Sequence, residues 1–377
     1  MSILTINTGS SSVRLAVFTL VDKSLALRES GHFSDTRGDP AEVLRAFLKE
    51  YGIGKVAVVV HRIVHGGSHL TAPCWLDDKV EAEIRRLEPL APLHNPLALR
   101  WVAACRAVFG EEIGQMAVFD TAFYATLPGV AATYALPPLV CRKHDIRRYG
   151  FHGLAHQAMW RHWRERQPEI RKGLRVISLQ LGAGCSITAA RDGQAVDTSM
   201  GFSPLEGLVM ATRSGDIDPG LLLYLLRAGK MSVDELDHLL NQESGLRGMA
   251  GESDMRRLLD SDEAAAQLAV ELYCYRARKY IGAYLAALGS TDAILFGGGV
   301  GEHAPEIRER ILAGMEWAGI VLDRERNHAA VGAKARISRD DSPVAIWTIP
   351  VDEAQLLAEA AASLLTQPMG NNKEGQS

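Results

Sequence analysis

The sequence has no apolar stretch long enough to cross a bilayer. Its start, MSILTIN, lacks the basic region and apolar run of a leader and reads as a first strand. There is no excess of charge of either sign: 41 Lys and Arg face 45 Asp and Glu, a formal net of −4. That balance argues against a nucleic-acid face and against an anchor for anionic membranes. No CxxC pair occurs, and the five cysteines are scattered and odd in number. They read as reduced thiols of a cytoplasmic protein rather than a disulfide framework. What remains is a long chain of 377 residues, enough for two or three domains with sizeable cores.

The clearest internal feature is a repeated meander. Strands are expected at Ile3–Ile6, Val13–Leu20 and near Leu25–Arg28, with turns at Asn7–Ser11 and Asp22-Lys23. About half a chain later the same plan recurs: Val176–Leu179, Ser186–Ala190 and Ala195-Val196, with turns at the Gly182–Gly184 stretch and Asp192-Gly193. Two similar α/β domains, each offering one hairpin to a shared cleft, are the natural reading. Further strands are expected in KVAVVVHRIV (55–64) and QMAVFD (115–120), both ending in polar residues, where open α/β sheets place ligands.

Asp77 is a plausible cap for a helix in DDKVEAEIRRLEPL. A long helix is expected over 261–288, with Asp260 and Glu263 as a capping box. Leu268, Leu272, Tyr275, Tyr284 and Leu288 would form its apolar face, and Gly289 its stop. DAILF then reads as a strand, GGGVGE (297–302) as a glycine loop and APEIRERILAGM as a helix, a combination suited to an anion or nucleotide.

Several stretches carry chemistry. INTGSSSVRL supplies hydroxyls, turn amides and Arg14 for phosphate or hydrated Mg²⁺, though by itself it is more often an ordinary serine-bearing hairpin. Arg62 in HRIVHGG and Arg213 in TRSGDIDPG would form a clamp for carboxylate and phosphate oxygens if they converged. His61/His65 and His152/His156 have i,i+4 spacing, but the first pair is strand-like and neither carries the HExxH glutamate. A zinc hydrolase is therefore a weak reading. His152, between glycines in YGFHG, suits a cleft role. Asp120 and Glu353 each follow a strand, and each could order Mg²⁺ or cap a helix. The LQLGAGCS turn has backbone amides for a phosphate but no Lys, Arg or His.

Taken together these stretches resemble the acetate kinase family of acyl phosphotransferases. The match runs in order through NTGSSS, HRIVHGG, LAPLHNP, FDTAF, RYGFHG, DTSMGFSPLEG, TRSGDIDP, GGGVGE and IPVDE. The resemblance implies two actin-like, ribonuclease H-like domains of a β-β-β-α-β-α repeat with an active-site cleft between them. It implies residues 1–124 plus a helix at about 355–366 in the first domain. The second, 125–354, would hold the nucleotide site and the interface of a homodimer, and 367–377 would be a disordered tail. The implied reaction is reversible phosphoryl transfer between ATP and acetate or another short-chain carboxylate, with Mg²⁺ or Mn²⁺.

Carried onto this sequence, Arg62 and Arg213 resemble the residues that bind the carboxylate and the phosphoryl group, and His152 the histidine that stabilises the latter. His94 is a further active-site histidine. Asp120, Glu353 and Asn7 resemble the residues placed with Mg²⁺. Ser10, Ser12, Arg14, Gln180, Leu181, Gly182, Ala183 and Gly184 would face the phosphates. Asp254, Met255, Arg256, Gly299, Val300, Gly301, Glu302 and His303 would face the adenosine. Val64, Leu93, Phe151 and Pro204 match the small apolar pocket for the substrate methyl. A smaller residue than Val64 would favour propionate.

Departures cluster on the phosphate and nucleotide side. Gln180 stands for a family histidine, Ala183 and His303 for asparagines, Ala211 for glycine, Arg14 for lysine and Asp352 for asparagine. Leu154 and Ala155 stand for threonine and serine. They leave open another phosphoryl donor, such as pyrophosphate, or a propionate or butyrate substrate. The rival from another class is a non-catalytic nucleotide-binding regulator, which would have no need of a carboxylate clamp.

Overall fold

The structure is a computed structural model that describes residues 1–9, 12–22, 24–34, 38–167 and 172–366. Ser10 and the tail from 367 onward lie outside the described residues. The chain forms two compact units. One is Met1–Ala122 with the chain from Asp352 on; the other is Phe123–Val351.

The first unit is built on strands β1 (Ser2–Thr8), β2 (Val13–Val21), β3 (Ser24–Phe33), β4 (Val58–Ile63), β5 (Cys74–Trp75) and β6 (Gly114–Phe119). Its sheet order is β3-β2-β1-β4-β6-β5. The first three strands form an antiparallel meander, whereas β4 joins β1 and β6 joins β4 in parallel. Strand alternation divides β1 and β4 between two faces. Leu4, Ile6 and Val59 pack with Leu44 and Phe47 of the Pro40–Glu50 helix and Trp101 and Cys105 of the Asn95–Phe109 helix. Asn7 and Arg62 fall on the other face, against which the Glu353–Thr366 helix packs through Leu357, Ala358 and Ala361.

The second unit contains β7 (Arg175–Leu181), β8 (Cys185–Arg191), β9 (Gln194–Thr198), β10 (Ala293–Gly297), β11 (Ala335–Arg336) and β12 (Ala345–Thr348). Its order, β11-β12-β10-β7-β8-β9, reproduces the first sheet strand for strand. An antiparallel meander is followed by two parallel additions, with one short antiparallel strand on the outer edge. This is the α/β repeat expected from the two meanders. The two-residue strands β5 and β11 carry too little periodicity to be read from sequence. The β8–β9 hairpin turns at Asp192 (φ 50°) and Gly193 (φ 80°), a left-handed pair that suits a twisted two-residue turn.

Three helical expectations need correction. The Asp78–Arg86 helix is capped by Asp77, whose side chain accepts from the Val80 amide at 2.8 Å, as its sequence suggests. The long helix instead starts at Ala264 with no side-chain cap bond at Glu263. Asp260 ends the preceding Met255–Leu259 helix and so forms no capping box. The buried stripe of the long helix is also different. It runs through Ala266, Ala269, Val270, Tyr273, Cys274, Ala277, Ile281, Tyr284 and Leu288, while Leu268 and Tyr275 are exposed. Tyr284 and Leu288 are buried as expected, but small alanines allow close packing on that side, and a reading weighted by large side chains misplaces the first half of the stripe. Finally, the GGGVGE stretch is not an open loop: Gly298–His303 is a short helix leading into Pro305–Leu312.

Candidate active site

In the first unit, β4 carries Arg62 into a buried polar cluster. Its Nε donates to Asp120 Oδ1 at 3.0 Å and Nη2 donates to Oδ2 at 2.6 Å. Nη1 donates to Asn7 Oδ1 at 3.0 Å and lies 3.6 Å from Glu353 Oε2. Asn7 Nδ2 in turn donates to the same Glu353 oxygen at 2.6 Å. The elements explain the convergence. Asn7 ends β1, Arg62 lies on the adjacent strand, Asp120 follows β6, and Glu353 opens the helix on that face. Burial by itself would lower the Arg62 pKa, but the carboxylates of Asp120 and Glu353 outweigh it and hold the guanidinium above its ordinary value.

Val64 is buried just beyond β4, whereas Leu93 is 38% exposed. His94 precedes the Asn95–Phe109 helix. Asn95 fixes this corner by accepting from the His65 amide and donating to the His65 and Ile84 carbonyls. Ser12 supports the β1–β2 turn through its carbonyl, which accepts from the Gly9 amide at 2.7 Å. Arg14 is exposed.

In the second unit, the Gly182–Gly184 turn acquires the positive and polar groups that its own sequence lacks. A Cβ placed on Gly184 would lie 3.3 Å from His152 Cε1 and Nε2 and 3.7 Å from Arg213 Nη1. The imidazole and guanidinium therefore both border this turn. His152 itself holds a left-handed conformation (φ 57°), an uncommon state for a non-glycine residue and one that concentrates at functional sites. Its Nδ1 lies 2.9 Å from Ser186 Oγ.

Arg213 contrasts with Arg62. It is only 9% exposed, and its Nη1 donates to the Pro204 carbonyl at 3.2 Å with the Met210 sulfur at 3.9 Å. No carboxylate pairs with it among the described residues. Burial lowers its pKa and outweighs the opposing effect of Cys185. A buried cation with so little compensation favours an incoming anion.

The remaining nucleotide-side residues are placed as follows. Gln180 pairs with Ser186 across β7–β8, and its Oε1 is buried without a hydrogen bond. Gly298 donates its amide to Glu302 Oε1 at 2.9 Å, which also accepts from Val351 at 3.3 Å. Glu302 thus braces the glycine helix. Gly299, Val300 and Gly301 lie within that helix, and His303 Nδ1 lies 3.1 Å from the Gly299 carbonyl. Asp254 caps the Met255–Leu259 helix and forks onto Arg256, whose hydrogen bonds hold its carboxyl down to about 2. Met255 is buried beside them. Phe151 is buried and Pro204 partly so.

Sequence reasoning missed three supports of this region. Tyr124, fully buried, donates to the Phe151 carbonyl at 2.8 Å and lies 2.9 Å from Thr188 Oγ1. Its ring leaves no room for a Cβ at Gly150, whose φ is 74°. Ser178 and Ser186 are buried hydroxyls that contact His156. The usable signal was two serines within otherwise apolar strand runs.

Three of the four HxxxH histidines, His61, His65 and His156, are buried, and only His152 reaches the phosphate turn. His61 Nε2 bonds Gln115 Oε1 at 2.6 Å, and burial brings its pKa down to about 4. No group of three or more His, Cys, Asp or Glu suited to a metal occurs among the described residues.

The sequence pattern described as the acetokinase family matches residues 41–359. The chain belongs to the acetokinase family. It is similar to the acetate kinase of Chloroherpeton thalassium, at 48% identity over 80% of this chain and 74% of that protein. It is 40% identical to the acetate kinase of Streptomyces avermitilis over 96% of this chain and 97% of that one. Among solved structures it resembles the acetate kinase of Porphyromonas gingivalis, with a TM-score of 0.86 and 35% identity over 97% and 100% of the two chains. A propionate kinase from Francisella tularensis gives a TM-score of 0.85 at 33% identity, covering 95% and 98%. Among the described residues of this acetokinase no helix is long and apolar enough to cross a membrane.

Proposed function

We infer that this acetokinase catalyses reversible phosphoryl transfer between ATP and acetate, giving acetyl phosphate and ADP. The observation that carries the reading is Arg213, a buried guanidinium with no carboxylate partner among the described residues, bordering the Gly182–Gly184 turn together with His152. Such a group is suited to anionic oxygens whose charge grows during transfer.

Acetate is already an anion at neutral pH, so attack needs no strong base. The barrier lies in bringing two anions together and stabilising the phosphoryl oxygens in flight. Arg213 and His152 stabilise those oxygens, and the amides of Gly182–Gly184 hold the donor phosphates. Arg62, fixed by Asp120 and Asn7, orients the acetate carboxylate. His94 donates a hydrogen bond to the same reacting groups. Val64, Leu93, Phe151 and Pro204 are the proposed contacts of the substrate methyl. Ser10, Ser12 and Arg14 contact phosphate, and Asp254–Arg256 with Gly299–His303 contact adenosine.

Asp120, Glu353 and the Asn7 carbonyl form a hard oxygen set, and two carboxylates are a usual protein contribution to a Mg²⁺–nucleotide site. When bound there, Mg²⁺ would neutralise phosphate charge. A homodimer is part of the proposal, supported by apolar side chains left exposed on the second unit, among them Leu221, Leu223, Tyr224, Leu268 and Tyr275. The protein is proposed to work in the cytoplasm.

A second reading concerns the donor. Gln180 has a buried Oε1 without a hydrogen bond, and Ala183 offers no polar side chain. Both favour a change on the phosphate side, pyrophosphate included.

The test is hydroxylamine trapping of acetyl phosphate from acetate with Mg²⁺ and either ATP or pyrophosphate. Product with ATP supports the main reading, and product with pyrophosphate alone supports the second. No acyl phosphate from folded protein with either donor removes both.

A further inference from the structure

Behind His152 lies a hydrogen-bonded chain that ends in a single hydroxyl. His152 Nδ1 lies 2.9 Å from Ser186 Oγ, and the same oxygen lies 2.8 Å from His156 Nε2. His156 Nδ1 lies 2.7 Å from Ser178 Oγ. Ser178, Ser186 and His156 are all buried. Ser178 and Ser186 share one face of the β7–β8 hairpin, since Ser186 pairs with Gln180, two residues beyond Ser178. The Gly153–Arg164 helix covers that face through His156, Met159 and Trp163.

The donor inventory gives this chain a direction. A serine hydroxyl has one proton to donate, and a buried proton without an acceptor is costly. Among the described residues Ser178 Oγ has only His156 Nδ1 as a side-chain partner, so its proton goes there. A neutral His156 must then carry its own proton on Nε2 and donate it to Ser186 Oγ. Burial, and secondarily the neighbouring His152, keep His156 neutral by holding its pKa well below the usual value. Ser186 has accepted from His156, so its proton goes to His152 Nδ1. His152 is left protonated on Nε2, the ring edge that faces Gly184. The reverse order would strand the Ser178 proton and turn a lone pair of neutral His152 toward the phosphate turn.

We propose that Ser178, acting through His156 and Ser186, is a positioning residue that fixes His152 as the Nε2–H tautomer. That tautomer places an N–H donor on the ring edge that faces the Gly182–Gly184 turn. The tautomer follows from these hydrogen bonds with a neutral, buried His156. Its effect on turnover rests on the reading of His152 as a hydrogen-bond donor to the phosphoryl oxygens.

Nitrogen-15 NMR of histidine-labelled protein tests the tautomer directly, with the His152 signals assigned by their loss in His152→Gln. The expected spectrum has a protonated Nε2 and an unprotonated Nδ1 at His152 in the wild-type protein. Ser178→Ala should release the constraint, mixing the two tautomers. It should lower kcat for acetyl phosphate formation by about tenfold at little-changed KM for acetate and ATP. Ser178→Thr, which keeps the hydroxyl, should keep the wild-type tautomer. An Nδ1–H tautomer in the wild-type protein, or an unchanged His152 spectrum in Ser178→Ala, overturns the proposal. Normal turnover in His152→Ala would instead remove the role of His152 in stabilising the phosphoryl group and leave the tautomer assignment standing.

Discussion

Arg62 and Asp120 meet as a two-bond fork, Nε to Oδ1 at 3.0 Å and Nη2 to Oδ2 at 2.6 Å, inside the first unit. Asp120 is the principal countercharge of Arg62, ahead of Glu353, and is itself fully buried. Removing Arg62 deprives the buried Asp120 carboxylate of this fork. Arg62→Ala should therefore lose about 3–5 kcal/mol of stability as well as activity. The double variant Arg62→Ala/Asp120→Ala should recover part of that loss. Urea unfolding of the two single variants and the double variant checks the coupling; additive losses would show that the fork is energetically unimportant.

Arg213 should behave in the opposite sense. It is buried with a carbonyl and a thioether for company, so its removal relieves a desolvation cost. Arg213→Ala is expected to match or exceed the wild-type urea midpoint. Turnover should fall by about two orders of magnitude or more, as for loss of a group that stabilises transition-state charge. A variant that keeps near-normal turnover would show that this guanidinium does not serve the reaction.

Gly184 is required for close approach rather than for a left-handed backbone. An added methyl would sit 3.3 Å from the His152 ring, so the imidazole would have to shift by a few tenths of an ångström. Gly184→Ala should fold with wild-type stability yet lose roughly tenfold or more in kcat, because small misplacements at a reacting centre are expensive. Gly182→Ala meets only the Gly184 carbonyl at 3.6 Å and is the matched control. Equal effects in the two variants would contradict this account.

Acid should weaken the fold through His61. Its pKa drops from 6.5 to about 4, mainly through burial, so between those values the unfolded chain binds a proton that the native state does not. Its contribution is fully present above about pH 6.5 and is lost as pH falls toward 4, on the order of 3 kcal/mol in total. The wild-type protein should lose stability between pH 7.5 and pH 5. His61→Gln, which can still bond Gln115, should lose less, with buried His156 accounting for part of the remainder. Identical slopes in urea titrations at the two pH values would rule out His61 as a source.

The sequence by itself determined the repeat, the strand ends that carry Asn7, Arg62, Asp120 and Gln180, and the family. These depend on periodicity, turn chemistry and motifs, each of which is legible within a stretch of a few residues. It could not determine which arginine is compensated. The partners of Arg62 come from β1, the end of β6 and a helix near the end of the chain, with Asn7 and Glu353 separated by 346 positions. Nor could it explain how a turn with no charged residue serves phosphate. Only the packing of the Gly153–Arg164 helix on β7 and β8, and the path of the chain past Pro204, bring His152 and Arg213 to Gly184. Charge compensation and proton direction are properties of the contacts each buried group makes, and tertiary structure creates those contacts between residues far apart in the chain.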